Sequence, residues 1–130
     1  MPVAGSQISK CHLSLKNWKY GSWLIDMADD VHLLTREFPK EEMFSLTSQM
    51  KRAADSISLN IAEGSTGQSD PEQAKFIGYP QRSLMEVVNC LYLAIKRKYI
   101  DKATFDKFYN DLDKLAAKIQ AFKNSIKNKT

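Results

Sequence analysis

The stretch FPKEEMFSLTSQMKRAADSISLNIAEG, residues 38–64, contains the end of one helix and the whole of the next. Pro39 lacks a backbone N–H, and its ring clashes with the carbonyl four residues earlier, so a helix arriving through Glu37 should end there. Apolar residues then recur at steps of three and four, the spacing of a buried stripe on a helix. These residues are Leu46, Met50, Ala53, Ala54, Ile57 and Ile61. Gly64 follows, where a helix end favours a residue at positive φ. The stretch therefore predicts a helix over about residues 46–63.

Polar residues lie close to this apolar stripe, and they admit two interpretations. They are Gln49, Arg52, Ser56, Asn60 and Glu63. In the structural interpretation, which we favour, Arg52 pairs with Glu86 on the next helix and ties the two helices together. Glu63 lies in the last turn, where its charge faces the negative end of the helix dipole at a cost of ~0.3–1 kcal/mol. A partner in the following loop should compensate, and Asn60 can bond the same loop. The alternative is a ligand-binding site.

Three further segments show the same alternation of apolar residues and predict three further helices. The four predicted helices cover about residues 15–37, 46–63, 70–99 and 102–126. Ser69 and Glu72 have the spacing of a capping box, in which each side chain bonds the backbone N–H of the other. Pro80 lies inside the third helix, where the missing N–H should kink or split it. Asp101 is the expected cap of the fourth.

The connections between these helices determine the predicted architecture. No segment alternates apolar and polar residues at period two for long enough to form a strand, so the fold class is all-α. Short connections at Pro39 and Asp101 make neighbouring helices antiparallel, which predicts an antiparallel up-down-up-down four-helix bundle. Residues 13–127 form this single bundle domain, and residues 1–12 form a loose N-terminal arm.

The composition is that of an ordinary globular protein. The chain has 130 residues, of which 43% are apolar and 26% charged, enough for one domain with a substantial core. No apolar run approaches the ~18 residues that span a bilayer, and no signal peptide opens the chain, so we expect a cytoplasmic protein with no membrane partner. Cys11 and Cys90 are then expected to be reduced thiols.

The residue types that carry most enzyme chemistry are scarce. The only histidines are His12 and His32, and neither has a glutamate three residues before it, as a di-iron bundle would need. Two histidines and two distant cysteines do not form a zinc set, and there is no Gly-rich phosphate loop or nucleophile elbow. We therefore expect a non-enzymatic protein without catalytic residues, metal, cofactor or small-molecule substrate. His32 is interpreted as a partly buried bundle residue.

Basic residues are concentrated in the last quarter of the chain. Residues 96–130 hold ten Lys and Arg against four Asp, whereas the rest of the chain holds nine against eleven acidic residues. A lysine-rich helix face can bind phosphates in a salt-dependent way with little sequence preference, or it can be merely solvated. The candidate nucleic-acid-binding residues are Lys96, Arg97, Lys98, Lys107, Lys114 and Lys118.

Residues 38–64 also carry a family resemblance. The strings Phe38–Glu42, Leu46–Ala54, Ser56–Ile57 and Asn60–Gly64 resemble the signature of the four-helix bundle proteins named after intervening sequences in bacterial 23S rRNA genes. The pattern continues with Ser69, Glu72, Phe76, Ser83, Leu84 and Glu86, and it covers about residues 13–100. Its structural motif residues here are Pro39, Gln49, Arg52, Asn60, Glu63, Gly64 and Glu86. Pro80 and Arg82 stand where the family usually has an alanine and a glycine.

The resemblance implies more than the bundle fold. It implies assembly into a ring, a homopentamer, and kinship with the accessory variability determinant of diversity-generating retroelements, which works with a reverse transcriptase and nucleic acid. Our leading hypothesis is a self-associating binding or scaffold module whose partner is RNA, DNA or a nucleic-acid enzyme. The alternative is a protein–protein adaptor whose lysines only solubilise it.

Overall fold

Four helices form the protein in a computed structural model that describes residues 19–63 and 70–127, with the backbone alone for residues 62–63, 70–77 and 125–127. The helices are α1 (Gly21–Thr35), α2 (Leu46–Glu63), α3 (Asp70–Lys96) and α4 (Lys102–Lys127), and a short 3-10 helix (Lys40–Glu42) connects α1 to α2. No strand occurs in the described ranges. The prediction of an all-α fold with four helices is confirmed.

Side-chain contacts between the helices define an antiparallel order. The Nε2 of Gln81, early in α3, donates to Gln120 Oε1 late in α4 at 2.6 Å. The ring of Tyr92, late in α3, packs against Phe105 early in α4, with ring centroids 5.1 Å apart. Each helix packs along the next one in the chain, whereas α1 and α4, which close the bundle, approach each other over a much shorter stretch. We call this short contact the α1–α4 seam. The up-down-up-down topology agrees with the prediction.

The apolar stripes identified in the sequence form the core. All six predicted apolar positions of α2 are buried, and Leu112 and Ile119 of α4 are fully buried. The other buried apolar residues include Leu24, Met27, Val31, Leu34, Phe38, Leu84, Val87, Cys90, Leu91, Ala94, Phe108 and Leu115. His32 is half-buried as predicted, and its Nε2 lies 2.9 Å from Asp55 Oδ1, which joins α1 to α2. This pair is solvent-exposed enough to contribute only about 0–1 kcal/mol, so the core holds the bundle together.

The first helix is shorter than predicted. It begins at Gly21, and residues 15–18 lie outside the described part of the chain. It ends at Thr35 instead of residue 37, because the N–H groups of Glu37 and Phe38 donate to carbonyls three residues back, at 3.1 and 3.0 Å. This tighter turn replaces the last predicted turn of the helix and delivers the chain to Pro39, as 3-10 turns commonly do at helix ends.

The third helix passes through Pro80 without a break. Of the two outcomes predicted for Pro80, a kink or a split, the split is wrong, since α3 runs unbroken from Asp70 to Lys96. The Pro80 side chain is fully buried, so packing of its ring offsets the hydrogen bond that its missing N–H cannot make. The predicted capping residue Ser69 lies outside the described residues.

The end of α3 is a Schellman motif built around a lysine. The helix ends at Lys96 instead of about residue 99. The Tyr99 N–H donates to the Ala94 carbonyl at 2.9 Å, and the Lys98 N–H donates to the Ile95 carbonyl at 3.1 Å. This motif requires a left-handed residue, and Lys98 has φ 64°, a conformation that usually selects glycine.

Replacing Lys98 with glycine is expected to raise the free energy of unfolding by about 0.5–1 kcal/mol, because glycine adopts positive φ without steric cost. The matched control is Lys96→Gly, which removes the same charge two residues earlier, at the last residue of α3. That change should lower the free energy of unfolding by about 0.5–1 kcal/mol, the cost of glycine in a helix. Urea unfolding of both variants measures the difference. A destabilised Lys98→Gly variant would contradict the left-handed assignment.

Candidate functional site

Three of the predicted motif residues line one surface groove between α2 and α3. Gln49 and Glu86 line one depression of this groove, and Asn60 and Glu86 line the adjoining one. Arg82 lines both depressions. Met85 contributes an apolar edge that is 61% exposed. We call this surface the α2–α3 groove; its lining is mostly apolar in the depression beside Met85 and mostly polar in the one beside Asn60.

Hydroxyl groups, not an ion pair, join α2 to α3 here. The Ser56 and Ser83 hydroxyls hydrogen-bond each other across the two helices, and Ser83 is buried. Arg52 and Glu86 are both exposed, and no ion pair joins them among the described residues. The structure therefore does not form the predicted Arg52–Glu86 pair, because both side chains lie on the solvent flanks of their helices.

The remaining motif residues have different roles or lie outside the described residues. The Asn60 side-chain amide donates to the Ser56 carbonyl within α2 at 2.8 Å. It therefore supports its own helix, and its predicted bond to the following loop lies outside the described residues. The side chain of Glu63 and the whole of Gly64 lie outside the described part, so their predicted loop anchoring stays a prediction. Pro39 precedes the short 3-10 helix in an extended conformation, as expected of the residue that sets the first turn.

The predicted basic residues separate into partnered and unpartnered groups. Arg97 donates to Glu42 Oε2 at 2.9 Å, and the Lys107 ammonium lies 3.5 Å from Asp111 Oδ2. The Lys118 ammonium lies 5.0 Å from the ring centroid of Tyr20. Lys114 lines a groove of about 250 Å³ at the α1–α4 seam together with three aspartates. Each of these α4 lysines therefore lies near a carboxylate or an aromatic ring, but only Lys107 is in an ion pair among the described residues.

By contrast, Lys96 and Lys98 are exposed and form no ion pair in the described residues. They lie at the end of the bundle where the α1–α2 and α3–α4 connections meet. The same end carries Arg36, Lys40 and Lys51, which together line a pocket of about 400 Å³ and are likewise without a carboxylate within 4 Å. We call these five residues the cationic end.

Sequence reasoning did not identify Arg36, Lys40 and Lys51 as site residues. They come from α1, the 3-10 helix and α2, and no spacing in the sequence relates them. The net charge of two regions of the sequence could nevertheless have indicated this site. Residues 36–52 and 96–102 hold eight basic and four acidic residues, an excess equal to the +4 of the whole chain.

Glu42 fixes the geometry of this end. Its carboxylate accepts hydrogen bonds from the Ser45 hydroxyl at 2.6 Å, the Tyr99 hydroxyl at 2.8 Å and the Arg97 guanidinium at 2.9 Å. The Ser45 bond and then the Tyr99 bond hold the pKa of Glu42 below its usual value, and Arg97 adds to the effect. This carboxylate therefore ties the α1–α2 connection to the end of α3 and is already saturated with donors.

A family model described as 23S rRNA-intervening sequence protein matches residues 16–121. This match covers most of the chain and all four helices. The chain belongs to that family. The match confirms the resemblance seen in residues 38–64 and extends it beyond the predicted limit near residue 100, into most of α4. A search of curated proteins gave no match.

Within this family member, the described residues hold no group of three or more His, Cys, Asp or Glu side chains placed to bind a metal ion. None of its described helices is long and apolar enough to cross a membrane. The α2–α3 groove contains three of its family motif residues, and the cationic end gathers five basic residues from three helices and the α1–α2 and α3–α4 connections.

The Glu42 carboxylate makes a pH-dependent contribution to stability in this family member. Its pKa is lower in the folded state than its ordinary value near 4.5, so the stabilisation is present above that value and is lost as pH falls through the folded pKa. We expect Glu42→Gln to lower the melting temperature by more at about pH 7 than at about pH 3. Glu41→Gln is the control, since Glu41 forms no ion pair within the described residues. An equal effect of Glu42→Gln at both pH values would refute this role.

Proposed function

We propose that this protein is a non-enzymatic, self-associating bundle that binds nucleic acid through the cationic end. The observation that carries the proposal is the concentration at one end of the bundle of cations without an ion pair among the described residues, whereas the predicted α4 lysines lie beside carboxylates or an aromatic ring. Unpaired surface ammonium and guanidinium groups bind phosphates by releasing condensed counterions, largely without regard to base sequence. The proposal includes no metal, cofactor or small-molecule substrate, and it places the protein in the cytoplasm.

Self-association is the second part of the proposal. The α2–α3 groove supports it, because Met85 leaves an apolar edge 61% exposed beside hydrogen-bonding side chains that a second copy can satisfy. The family resemblance favours a homopentamer and kinship with the retroelement accessory determinants. Light scattering of the purified protein tests this part: a pentamer mass is expected, and a monomer would exclude ring assembly. Met85→Glu should shift the mass toward the monomer.

Two triple variants that remove the same charge test the nucleic-acid part. Lys40→Gln/Lys51→Gln/Lys98→Gln changes the cationic end, and Lys107→Gln/Lys114→Gln/Lys118→Gln changes the face of α4 predicted from the sequence. Because both lower the net charge by three, a difference between them reports position and not overall charge. Fluorescence anisotropy with labelled RNA and DNA at about 50 and 200 mM salt measures the affinity and its salt dependence.

We expect the first variant to bind at least about tenfold more weakly and to lose up to about three units of the salt slope, since each phosphate contact contributes about 0.9. The α4 variant should change the affinity by less than about threefold. The reverse order would assign the interface to α4. Absence of binding by the unmodified protein at low salt would favour the alternative, a protein–protein adaptor.

A further inference from the structure

Phe44 is the most exposed large apolar residue of the described chain. It lies between the short 3-10 helix and α2, its side chain is 92% exposed, and its ring packs against no other described aromatic ring. Met43 beside it is 51% exposed. Folding gains little from a phenyl ring in this position, so the stability of the bundle does not account for it.

Charged residues lie close to Phe44 in the chain. Met43, its neighbour in the chain, lines the same pocket as Arg36, Lys40 and Lys51. The nearest carboxylates in the chain are those of Glu41 and Glu42, and Glu42 is occupied by its three donors. Phe44 therefore follows directly in the chain a residue that lines a pocket with three cations, none of which has a described carboxylate within 4 Å.

The complementary ligand carries negative charges along its length and presents flat apolar faces between them. Single-stranded nucleic acid has both features, since its phosphates are regularly spaced and its bases are unpaired and free to stack. Duplex nucleic acid offers the same phosphates but keeps its bases stacked inside. Base stacking on an aromatic side chain depends little on sequence.

We infer that Phe44 is a stacking platform for an unpaired base of single-stranded nucleic acid whose phosphates contact Arg36, Lys40 and Lys51. The inference rests on the proposed nucleic-acid binding and adds the strand class and the residue that selects it. Rigid support comes from the two sides of the residue. Pro39 begins the 3-10 helix before it, and the Ser45 hydroxyl after it bonds Glu42, so the ring is presented from a fixed backbone.

The full-length protein tests this inference with a fluorescein-labelled oligothymidine of about 12 nucleotides and a duplex of the same length. Phe44→Ala should weaken single-strand binding by at least about fivefold and duplex binding by less than about twofold, since only the single strand can stack. Phe44→Trp should keep the affinity, and its fluorescence should be quenched when the single strand binds. Leu59→Ala, which truncates a 63% exposed side chain elsewhere on α2, is the control and should change neither affinity.

The outcomes separate this inference from the proposed function. If the Lys40/Lys51/Lys98 variant loses binding but Phe44→Ala does not, the stacking role is overturned and the proposed function stands. If the unmodified protein binds neither oligonucleotide, both are overturned. If Phe44→Ala leaves the affinities unchanged but alters the mass measured by light scattering, Phe44 is a contact between copies of the chain and the inference is overturned.

Discussion

Val87→Asp is expected to lower the free energy of unfolding by about 5 kcal/mol at about pH 7, enough to unfold much of the protein. Val87 is fully buried in the middle of α3, among apolar residues of the core. A carboxylate there loses its hydration, and no described ion pair lies in this part of the core to compensate it. Natural domains have a total stability of only about 5–15 kcal/mol.

The pH dependence of the unfolding free energy of Val87→Asp tests whether the buried charge causes the destabilisation. Burial raises the pKa of an aspartate, so the folded variant binds a proton more tightly than the unfolded chain does. The destabilisation therefore grows as pH rises from about 4 toward the raised pKa and is constant above it. Urea unfolding at about pH 4 and pH 7 measures this difference.

Asn89→Asp is the matched control, because it adds the same charge two residues further along α3 on an exposed position. It should change the free energy of unfolding by less than about 0.5 kcal/mol. If Val87→Asp is tolerated as well as Asn89→Asp, the buried face of α3 has been placed incorrectly.

Leu91→Ala should lower the free energy of unfolding by about 3 kcal/mol. Leu91 is fully buried one turn after Val87, and alanine removes most of its apolar surface and leaves a cavity that the helices cannot fill without moving. The typical range for such truncations is about 2–5 kcal/mol. Urea denaturation measures this loss. If the slope of the unfolding free energy against urea concentration is unchanged, the substitution has altered stability and not the compactness of the folded or unfolded state.

Leu59→Ala makes the same chemical change on the surface. Leu59 is 63% exposed, so its truncation should cost less than about 0.5 kcal/mol. The difference between the two leucines thus measures burial and not helix propensity, which is the same in both substitutions. Equal costs would mean that Leu91 is not part of a packed core.

The periodic pattern predicted the core of each helix well. Residues at steps of three and four in α2 are all buried, and the regular pattern of α4 places Phe108, Leu112, Leu115 and Ile119 in the core. Burial follows from the pattern because one face of a helix must meet its neighbours. The helix ends were harder, since Thr35 and Lys96 are followed by local turns whose hydrogen bonds have no periodic signature.

The candidate site was only partly predictable, for a different physical reason. The sequence names every cation, but whether a cation is compensated depends on which carboxylate the fold brings near it. Arg97 and Glu42 are 55 residues apart in the chain and 2.9 Å apart in the structure. Lys40 and Lys51 have no such partner among the described residues, and this leaves them available to bind a phosphate. The exposure of Phe44 could not be predicted either, because nothing in a single sequence shows that its ring faces solvent.

The short α1–α4 seam also shapes how the bundle moves and folds. Because α1 packs along α2 and hardly along α4, it can detach without breaking the contacts among the other three helices. Nearly all helix pairs that pack are neighbours in the chain, which gives a low contact order and favours rapid folding. We therefore expect α2, α3 and α4 to unfold as one cooperative unit and α1 to be the least protected of the four described helices in amide hydrogen exchange.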